Sequence, residues 1–304
     1  MLRSFQEIIE AAKKGKAKKL VVSFVEKRDV ELLGKAANAG LIIPCLVGDG
    51  KAIETMIRGT QLASQEYEIR DEKDPGRVLQ RAIRLIREGH ADILMQGNIT
   101  HQAFIDAIFD AKNGLRKKKL LSYISVFGLP KQEKLILVTD TFINNNPTIY
   151  EKQLILENAL QLAGILGIDT PKVAALAAIE QINLSIPSTQ DAAILSKMSE
   201  RKQFGNAIVE GPLDIDCALS QIAAARKGLQ SVVTGNVDIY LVPEIDTGYL
   251  LAESLVFFGK MPMAGAIMGT ANPVILNLPF VFAESRIAEI ALAVLICRKR
   301  GTDA

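Results

Sequence analysis

The sequence predicts an α/β protein in which mainly parallel sheets are flanked by helices. Throughout its 304 residues, short runs rich in β-branched residues alternate with longer segments of helical period. This alternation is typical of strands joined by crossover helices. Hydrophobic residues make up 49% of the chain and charged residues 23%, and no linker rich in Pro, Gly or Ser interrupts it. Such a composition is typical of a globular protein.

The predicted strands are short apolar runs, and the predicted helices lie between them. The strands span residues 19–25, 42–47, 92–96, 122–127, 134–138, 172–179, 207–210, 237–242, 263–269 and 273–276. The helices span residues 3–14, 74–88, 101–112, 150–166, 189–199, 214–226 and 283–298. The Asn-rich turn at 144–147 breaks the pattern, because Asn favours turns and the residue before Pro avoids the helical region. We expect a domain crossover there.

Several of the predicted helices begin at capping residues. Asp74 precedes Pro75, which is a capping carboxylate followed by a residue with a fixed φ at the first helical position. Thr100 can cap the helix that starts at residue 101. The hydroxyls of Ser188 and Thr189 can cap the helix predicted at 189–199, although the exposed backbone amides at its start would also suit a phosphate.

Polar residues and glycines follow several predicted strands. Gly97 ends one strand, where it permits either a simple turn or close approach of a ligand. Thr139 and Asp140 end another strand, and Glu180 follows the strand at 172–179. Since the carboxyl ends of parallel strands meet at one edge, these groups predict a cleft site, although each one alone is equally explained as a cap or turn anchor.

Charge and cysteine content exclude several classes of function. The formal net charge of +2 is too small to indicate a nucleic-acid partner. The one dense basic run begins at Arg116 and lacks stacking aromatics, so it is either a solvated patch or a local anion site. Cys45, Cys217 and Cys297 share no metal-ligand spacing, and the chain has only two His residues. We therefore expect reduced thiols and no metal centre.

Targeting segments and common catalytic signatures are also missing. The first residues alternate charged and apolar types, unlike a signal peptide, and no run approaches the roughly 18 apolar residues of a membrane span. We expect a cytoplasmic protein. The chain contains no G-x-x-x-x-G-K-[ST], G-x-G-x-x-G, H-E-x-x-H or G-x-S-x-G signature. Nucleotide hydrolysis, zinc peptidase chemistry and an α/β-hydrolase triad are therefore disfavoured.

Segments that carry a family resemblance lie along nearly the whole chain. In order they read SFQEIIEAAKKGKAKKLVV, ADILMQGNIT, GLRKKKLLSYISVF and the long segment PKVAALAAIEQINLSIPSTQDAAILSKMSERKQFGNAIVEGPLDIDCALS. Together they resemble the phosphate acetyl/butyryltransferase family, and its butyryltransferase members most. It implies transfer of a short acyl group between coenzyme A and orthophosphate. CoA or acyl-CoA is then a substrate, and no bound cofactor is implied.

The resemblance also implies an architecture. The family is similar to the isocitrate/isopropylmalate dehydrogenase fold, with two α/β domains, a cleft between them and usually a homodimer. The last helix returns to the first domain. We therefore expect a first domain of residues 1–145 with 285–304 and a second domain of residues 146–284, with no nucleic-acid or membrane partner.

Carried over position by position, the resemblance implies a set of site residues. The implied catalytic residues are Thr139, Asp140, Glu180 and Asp216. The implied substrate-binding residues are Gly97, Arg116, Ser122, Asn144, Ser188, Thr189, Gly211 and Gly248.

Other positions depart from the family pattern. The family signature TSRADS falls on residues 277–282, which read NLPFVF here, so that Ser, Arg and Asp become Leu278, Pro279 and Val281. Further departures are Gln96, Tyr123, Glu244, Tyr249 and Glu253. Because an anion site needs cations and preorganised donors, these changes favour either an acyltransferase with an altered substrate or an inactive member that acts as a binding or regulatory protein.

Overall fold

A computed structural model of the chain describes residues 1–129 and 132–301. The strands are β1 (Lys18–Ser23), β2 (Ile42–Gly48), β3 (Glu68–Asp71), β4 (Ile93–Met95), β5 (Ser122–Leu129), β6 (Lys134–Thr139), β7 (Lys172–Leu176), β8 (Ile208–Leu213), β9 (Ile239–Leu241), β10 (Met263–Met268) and β11 (Val274–Ile275). The α-helices are α1 (Phe5–Lys13), α2 (Lys27–Asn38), α3 (Gly50–Ile57), α4 (Pro75–Arg87), α5 (His101–Phe109), α6 (Ile149–Ile165), α7 (Pro187–Glu200), α8 (Ile215–Leu219), α9 (Gln221–Arg226), α10 (Ile245–Phe257) and α11 (Arg286–Gly301).

The chain divides into two compact units. The central unit comprises Met1–Ser4 and Leu120–Met263, and the N-terminal unit comprises Phe5–Lys119 and Ala264–Ala304. Residues 302–304, which the expected first domain includes, lie outside the described residues. The unit boundaries differ from the expected ones at 145/146 and 284/285. The first boundary lies earlier because β5 and β6 pair with each other and β6 pairs with β9, so the chain joins the central sheet before it reaches the Asn-rich turn. The second lies earlier because β11 pairs with β4.

A parallel sheet in the order β11-β4-β1-β2-β3 lies in the N-terminal unit. Its inner strands are apolar, and Leu20, Val21 and Val22 of β1 are fully buried. Helix α4 presents a buried stripe that includes Val78, Ala82 and Ile86. The predicted start of α4 is confirmed, because the Asp74 carboxylate accepts the Gly76 amide at 2.9 Å and Pro75 opens the helix.

In the sheet of the central unit, the strands of this unit lie side by side in the order β5-β6-β9-β7-β8. The β5–β6 pair is antiparallel, whereas β6, β9, β7 and β8 run parallel. Helix α6 starts with a capping box in which Thr148 and Glu151 satisfy each other's backbone amides. The predicted α/β class with mainly parallel sheets is therefore confirmed, and the β5–β6 hairpin is its exception.

Two helix predictions are wrong in detail. The single helix expected at 214–226 is two helices, because Ser220 is extended and its hydroxyl caps α9 by accepting the Ala223 amide at 3.2 Å. Helix α7 begins at Pro187 after Ile186, which supplies no side-chain cap. Ser188 and Thr189 therefore lie inside the first turn of α7 rather than before it.

Candidate active site

A cavity of about 870 Å³ lies in the central unit at the carboxyl ends of its parallel strands. The segments that follow β6, β7, β8 and β9 each contribute to its lining, which is the edge of a parallel sheet where ligands usually bind. Residues of α6, α7 and α10 complete it. The lining comprises Asn146, Pro147, Lys152, Leu176, Ala177, Ala178, Pro187, Ser188, Asp191, Asp214, Ile215, Pro243, Glu244, Thr247, Leu250, Leu251 and Ser254.

Three carboxylates converge on the ammonium group of Lys227 beside this cavity. The Nζ atom of Lys227 lies 3.8 Å from Glu180 Oε2 and 2.9 Å from Asp216 Oδ1, and it also contacts Asp214 Oδ2. Glu180 follows β7 and Asp214 follows β8, so the parallel strands bring the two together. The implied catalytic residues Glu180 and Asp216 are thus brought into one cluster with Lys227.

Asp214 and Lys227 are held in their charged forms. Burial raises the pKa of Asp214, but hydrogen bonds from Cys217 and Lys227 outweigh it and hold the pKa at about 2. Hydrogen bonds to Asp214 and Asp216 raise the pKa of Lys227 above its ordinary value. Ligand atoms of Asp214, Asp216 and Cys217 lie within 4.8 Å of one another. The cation that serves the two carboxylates is the lysine ammonium.

A second ion pair, Lys152 with Asp191, lies in the cavity. Lys152 is buried on α6, and its Nζ atom is 2.7 Å from Asp191 Oδ2. The nearby Glu244 caps α10 by accepting the backbone amides of Asp246 and Thr247. Burial raises the pKa of Glu244, but hydrogen bonds from Thr247 and Asp246 bring it below its ordinary value. The carboxylate that replaces a family residue at Glu244 is therefore a helix cap.

Asp140 is buried and anchors the loop after β6. Its Oδ1 atom accepts the backbone amides of Tyr123 (3.1 Å), Phe142 (3.0 Å) and Ile143 (3.2 Å), and its Oδ2 atom accepts the amide of Asn144 (3.1 Å). Burial raises the pKa of Asp140, and these hydrogen bonds oppose the rise. Each of these four contacts holds a backbone amide in place.

Other implied site residues surround the same loop. The Asn144 amide group donates to Leu121 O at 2.8 Å and to Asp140 Oδ2 at 2.5 Å. The Thr139 hydroxyl donates to Tyr123 O at 3.2 Å. Ser122 is fully buried and its Oγ atom accepts the Asn158 amide at 3.0 Å. A Cβ atom on Gly248 would lie 2.5 Å from Asp140 O, so α10 packs directly on this loop. These residues shape the backbone beside the cavity.

Three implied residues lie near the start of α7 or beside it. Ser188 lines the cavity. The Thr189 hydroxyl is buried, donates to the backbone of residues 183 and 186, and accepts the Asn183 amide at 2.9 Å. Thr189 therefore braces the segment that leads into the helix. Gly211 lies within β8, and a Cβ atom there would lie 2.8 Å from Ala175 Cβ.

Gly97 and Arg116 belong to the N-terminal unit. A Cβ atom on Gly97 would lie 2.0 Å from Ser23 O, so this glycine permits close packing of two strand ends. Arg116 is exposed, and its guanidinium donates to the backbone carbonyls of Lys118 (3.1 Å from Nε) and Lys119. The structure therefore divides the implied site residues between the two units.

The segment that departs from the family signature folds into the N-terminal unit after β11. Leu278 and Phe280 are buried, with 5% and 6% of their surface exposed. The Gln96 carboxamide accepts the Asn277 amide at 3.0 Å, and so it fixes the end of β11. A guanidinium still reaches this strand end, because Arg286 Nη1 donates to Asn277 Oδ1 at 2.5 Å. Arg286 also pairs with the buried Glu289 at 2.8 Å.

Aromatic replacements in the central unit stack on one another. Phe142 meets Tyr123 edge-on with ring centroids 5.0 Å apart, and it meets Tyr249 at 5.1 Å. Such edge-to-face contacts stabilise beyond the area that they bury. Tyr123 and Tyr249 therefore contribute to the packing of the Asp140 loop.

Sequence reasoning missed Lys152 and Lys227. Lys152 falls on the apolar stripe that Ile155, Leu156 and Ala159 continue, and a Lys at a core position is a readable signal. Lys227 follows α9 at the surface and gives no such signal.

Comparisons with known proteins agree with this architecture. A family model described as "Phosphate acetyl/butaryl transferase" matches residues 72–293. A curated phosphate butyryltransferase from Clostridium beijerinckii is 34% identical over 300 residues, which cover 98% of this chain and 99% of the relative.

Among solved structures, a branched-chain phosphotransacylase from Enterococcus faecalis V583 is similar with a TM-score of 0.76 and 29% identity, covering 91% of this chain and 99% of that one. A phosphotransacetylase from Streptococcus pyogenes gives a TM-score of 0.83 at 20% identity, over 98% and 99% of the two chains, and at this identity it shows the fold alone. None of the helices in the described part of the chain has the length and apolar character needed to cross a bilayer. The expected resemblance is confirmed: the chain belongs to the phosphate acetyl/butyryl transferase family.

Proposed function

We propose that this protein transfers a short acyl group between coenzyme A and orthophosphate, and that the Lys227 cluster beside the central cavity takes part in the chemistry. The observation that carries the proposal is the convergence of Glu180 and Asp216 on Lys227 in a chain that belongs to this family. The relatives named above are described as acyltransferases. Their descriptions give no support to an inactive binding protein.

The reaction requires proton transfer and charge stabilisation. An oxygen of orthophosphate bonds to the thioester carbonyl carbon, the C–S bond breaks, and CoA leaves as a thiolate. Asp216 suits the proton transfer, because its side chain is 54% exposed and Lys227 holds it in place. It accepts the proton that phosphate gives up and returns it to the thiolate. Lys227 remains cationic and limits repulsion among the three carboxylates.

The remaining implied residues have supporting roles in this proposal. Thr139, Asp140, Ser122, Asn144 and Gly248 hold the loop after β6 in position, as their contacts with backbone groups indicate. In the N-terminal unit, Arg116 contacts the phosphates of CoA, because guanidinium groups recognise such anions. Gly97 provides close backbone packing there. Thr189 braces the segment before α7, and Gly211 permits close packing of β8 against Ala175 and Ala192.

The proposal includes an assembly and a location. The two units take the two-domain architecture of the isocitrate/isopropylmalate dehydrogenase-like fold, which their parallel sheets support. The protein forms a homodimer through the central unit. Large apolar side chains exposed there support this, among them Leu184 at 81%, Ile222 at 69% and Phe258 at 89%. It acts in the cytoplasm, where acyl-CoA is available. A monomeric mass in light scattering would disprove the dimer.

The test of activity measures free thiol released from butyryl-CoA in the presence of orthophosphate. We expect turnover by the wild type and a loss of about 100-fold in kcat for Asp216→Asn, the usual scale for a general base. Asp169→Asn is the matched control, because Asp169 is exposed at a surface bend, and it should retain full activity. Absence of thiol release by the wild type would refute the function. An Asp216→Asn variant with wild-type kcat would remove Asp216 from the mechanism.

A further inference from the structure

The ammonium group of Lys152 has unused hydrogen-bonding capacity at the edge of the central cavity. Its side chain is only 8% exposed, and Asp191 is its one side-chain hydrogen-bond partner among the described residues. An ammonium carries three donors. Two donors therefore have no acceptor from the described chain, although leaving buried charged donors unfilled is costly. The space that adjoins them is the cavity itself.

Each carboxylate that lines the cavity has a partner within the described chain. Glu244 caps α10 with both of its oxygens, and Asp214 pairs with Lys227 through Oδ2, while its Oδ1 atom is buried without a hydrogen-bond partner among the described residues. Asp191 holds Lys152 through one oxygen. A ligand that enters the cavity is therefore next to carboxylates that are each paired within the chain and to Lys152, whose ammonium group still has two N–H donors to offer. This asymmetry favours an acceptor-rich ligand.

Ser188 and the first turn of α7 add donors on the same side of the cavity. The Ser188 hydroxyl lines the cavity and has no hydrogen-bond partner among the described residues. Helix α7 is 14 residues long, and its N-cap residue Ile186 supplies no side-chain acceptor. The positive end of the helix dipole is therefore uncapped beside Lys152 and Ser188.

We propose that Lys152, Ser188 and the start of α7 form the subsite that holds a phosphoryl group in the central cavity. A tetrahedral phosphoryl oxyanion offers several acceptor oxygens, which match the two unfilled ammonium donors, the hydroxyl and the helix amides. Orthophosphate and the 3′-phosphate of CoA share this chemistry. The proposal rests on the acyl transfer proposed above, and it adds the residues that recognise the phosphoryl group.

The decisive variant is Lys152→Met, which keeps an unbranched side chain one atom shorter and removes its charge. We expect it to raise the KM for orthophosphate by about 10- to 100-fold, the effect of losing a charge-assisted hydrogen bond, with the KM for butyryl-CoA within two-fold. If the ligand is the 3′-phosphate instead, the variant should lose the wild-type preference for CoA over dephospho-CoA. Either result supports the subsite.

Two further variants separate recognition from folding. Lys134→Met is the matched control, because Lys134 is also a partly buried lysine paired with a carboxylate, Asp238 at 2.8 Å, but it does not line the cavity. It should leave both KM values unchanged. The double variant Lys152→Met with Asp191→Asn removes both charges and therefore leaves no unpaired carboxylate. It should show the same loss of phosphoryl recognition as Lys152→Met.

Direct binding keeps this test independent of turnover. Orthophosphate should raise the melting temperature of the wild type and of Lys134→Met but not of Lys152→Met. If the wild type releases no thiol and this pattern still holds, acyl transfer fails and the phosphoryl subsite stands. If turnover is robust and Lys152→Met alters neither the KM for orthophosphate nor the preference for CoA, the subsite is wrong. If orthophosphate stabilises no form and the wild type releases no thiol, both proposals are refuted.

Discussion

Replacing Asp140 by Asn should lower the free energy of unfolding by about 3 kcal/mol. One carboxylate oxygen accepts three backbone amides and the other accepts two N–H groups of Asn144. An Asn side chain must present its NH₂ group to one of these sets. Facing the Asn144 pair, it breaks two hydrogen bonds to a charged acceptor, each worth about 1.5 kcal/mol.

Urea unfolding followed by circular dichroism measures this effect. The midpoint should fall while the slope with urea stays unchanged, because the buried surface is the same. Asp169→Asn removes one exposed carboxylate elsewhere in the central unit and should change the free energy by less than about 0.5 kcal/mol.

The outcome also decides between two roles for Asp140. If Asp140→Asn unfolds at the wild-type midpoint but releases no thiol from butyryl-CoA, the carboxylate acts in the chemistry and the structural explanation is wrong. If stability falls and the folded variant retains kcat within a few-fold, the anchoring role stands.

Two further predictions concern the N-terminal unit. Burial raises the pKa of Glu289 to about 7 from its ordinary 4.5, so the folded state binds this proton more tightly than the unfolded state does. The contribution of Glu289 to stability should therefore be greatest below about pH 4.5 and be lost as the pH rises through about 7, so that Glu289→Gln gains up to about 3 kcal/mol on the wild type between pH 5 and pH 8. If chemical unfolding gave the same difference in free energy between Glu289→Gln and the wild type at pH 5 and at pH 8, the prediction would be wrong. Gly97→Ala should cost about 3 kcal/mol, because the new Cβ atom would lie 2.0 Å from Ser23 O, whereas Gly164→Ala in α6 meets nothing within 4 Å and should be neutral or stabilising. Equal melting temperatures for the two alanine variants would refute the close-packing argument.

The sequence predicted the α/β class, most strands and the family, because periodicity and linear motifs are local properties of the chain. It missed β3, whose residues from Glu68 to Asp71 are too polar to read as a buried strand. It placed the unit boundary at the Asn-rich turn, because the pairing of β6 with β9 is a contact between distant segments.

The candidate site was predictable only in part, for the same reason. Glu180 was singled out from its place after a strand and Asp216 from the resemblance, but their shared partner Lys227 depends on the chain turning at Ser220. The resemblance implies a catalytic role for Asp140, but the sequence carries no information on the hydrogen bonds of its carboxylate. The five N–H groups that it accepts become visible only in three dimensions.

The guanidinium of Arg286 bears on how the segment 277–282 is interpreted. A six-residue signature considers only the side chains at six consecutive positions. Here a guanidinium is carried by Arg286, in the first turn of α11, and it donates to the side chain of Asn277. The backbone of α11 holds Arg286 in position, so the location of this charge does not depend on the residue types of the preceding loop. Alignments that score this loop alone would count a cation as lost although the Arg286 guanidinium lies 2.5 Å from Oδ1 of Asn277, the first residue of the loop.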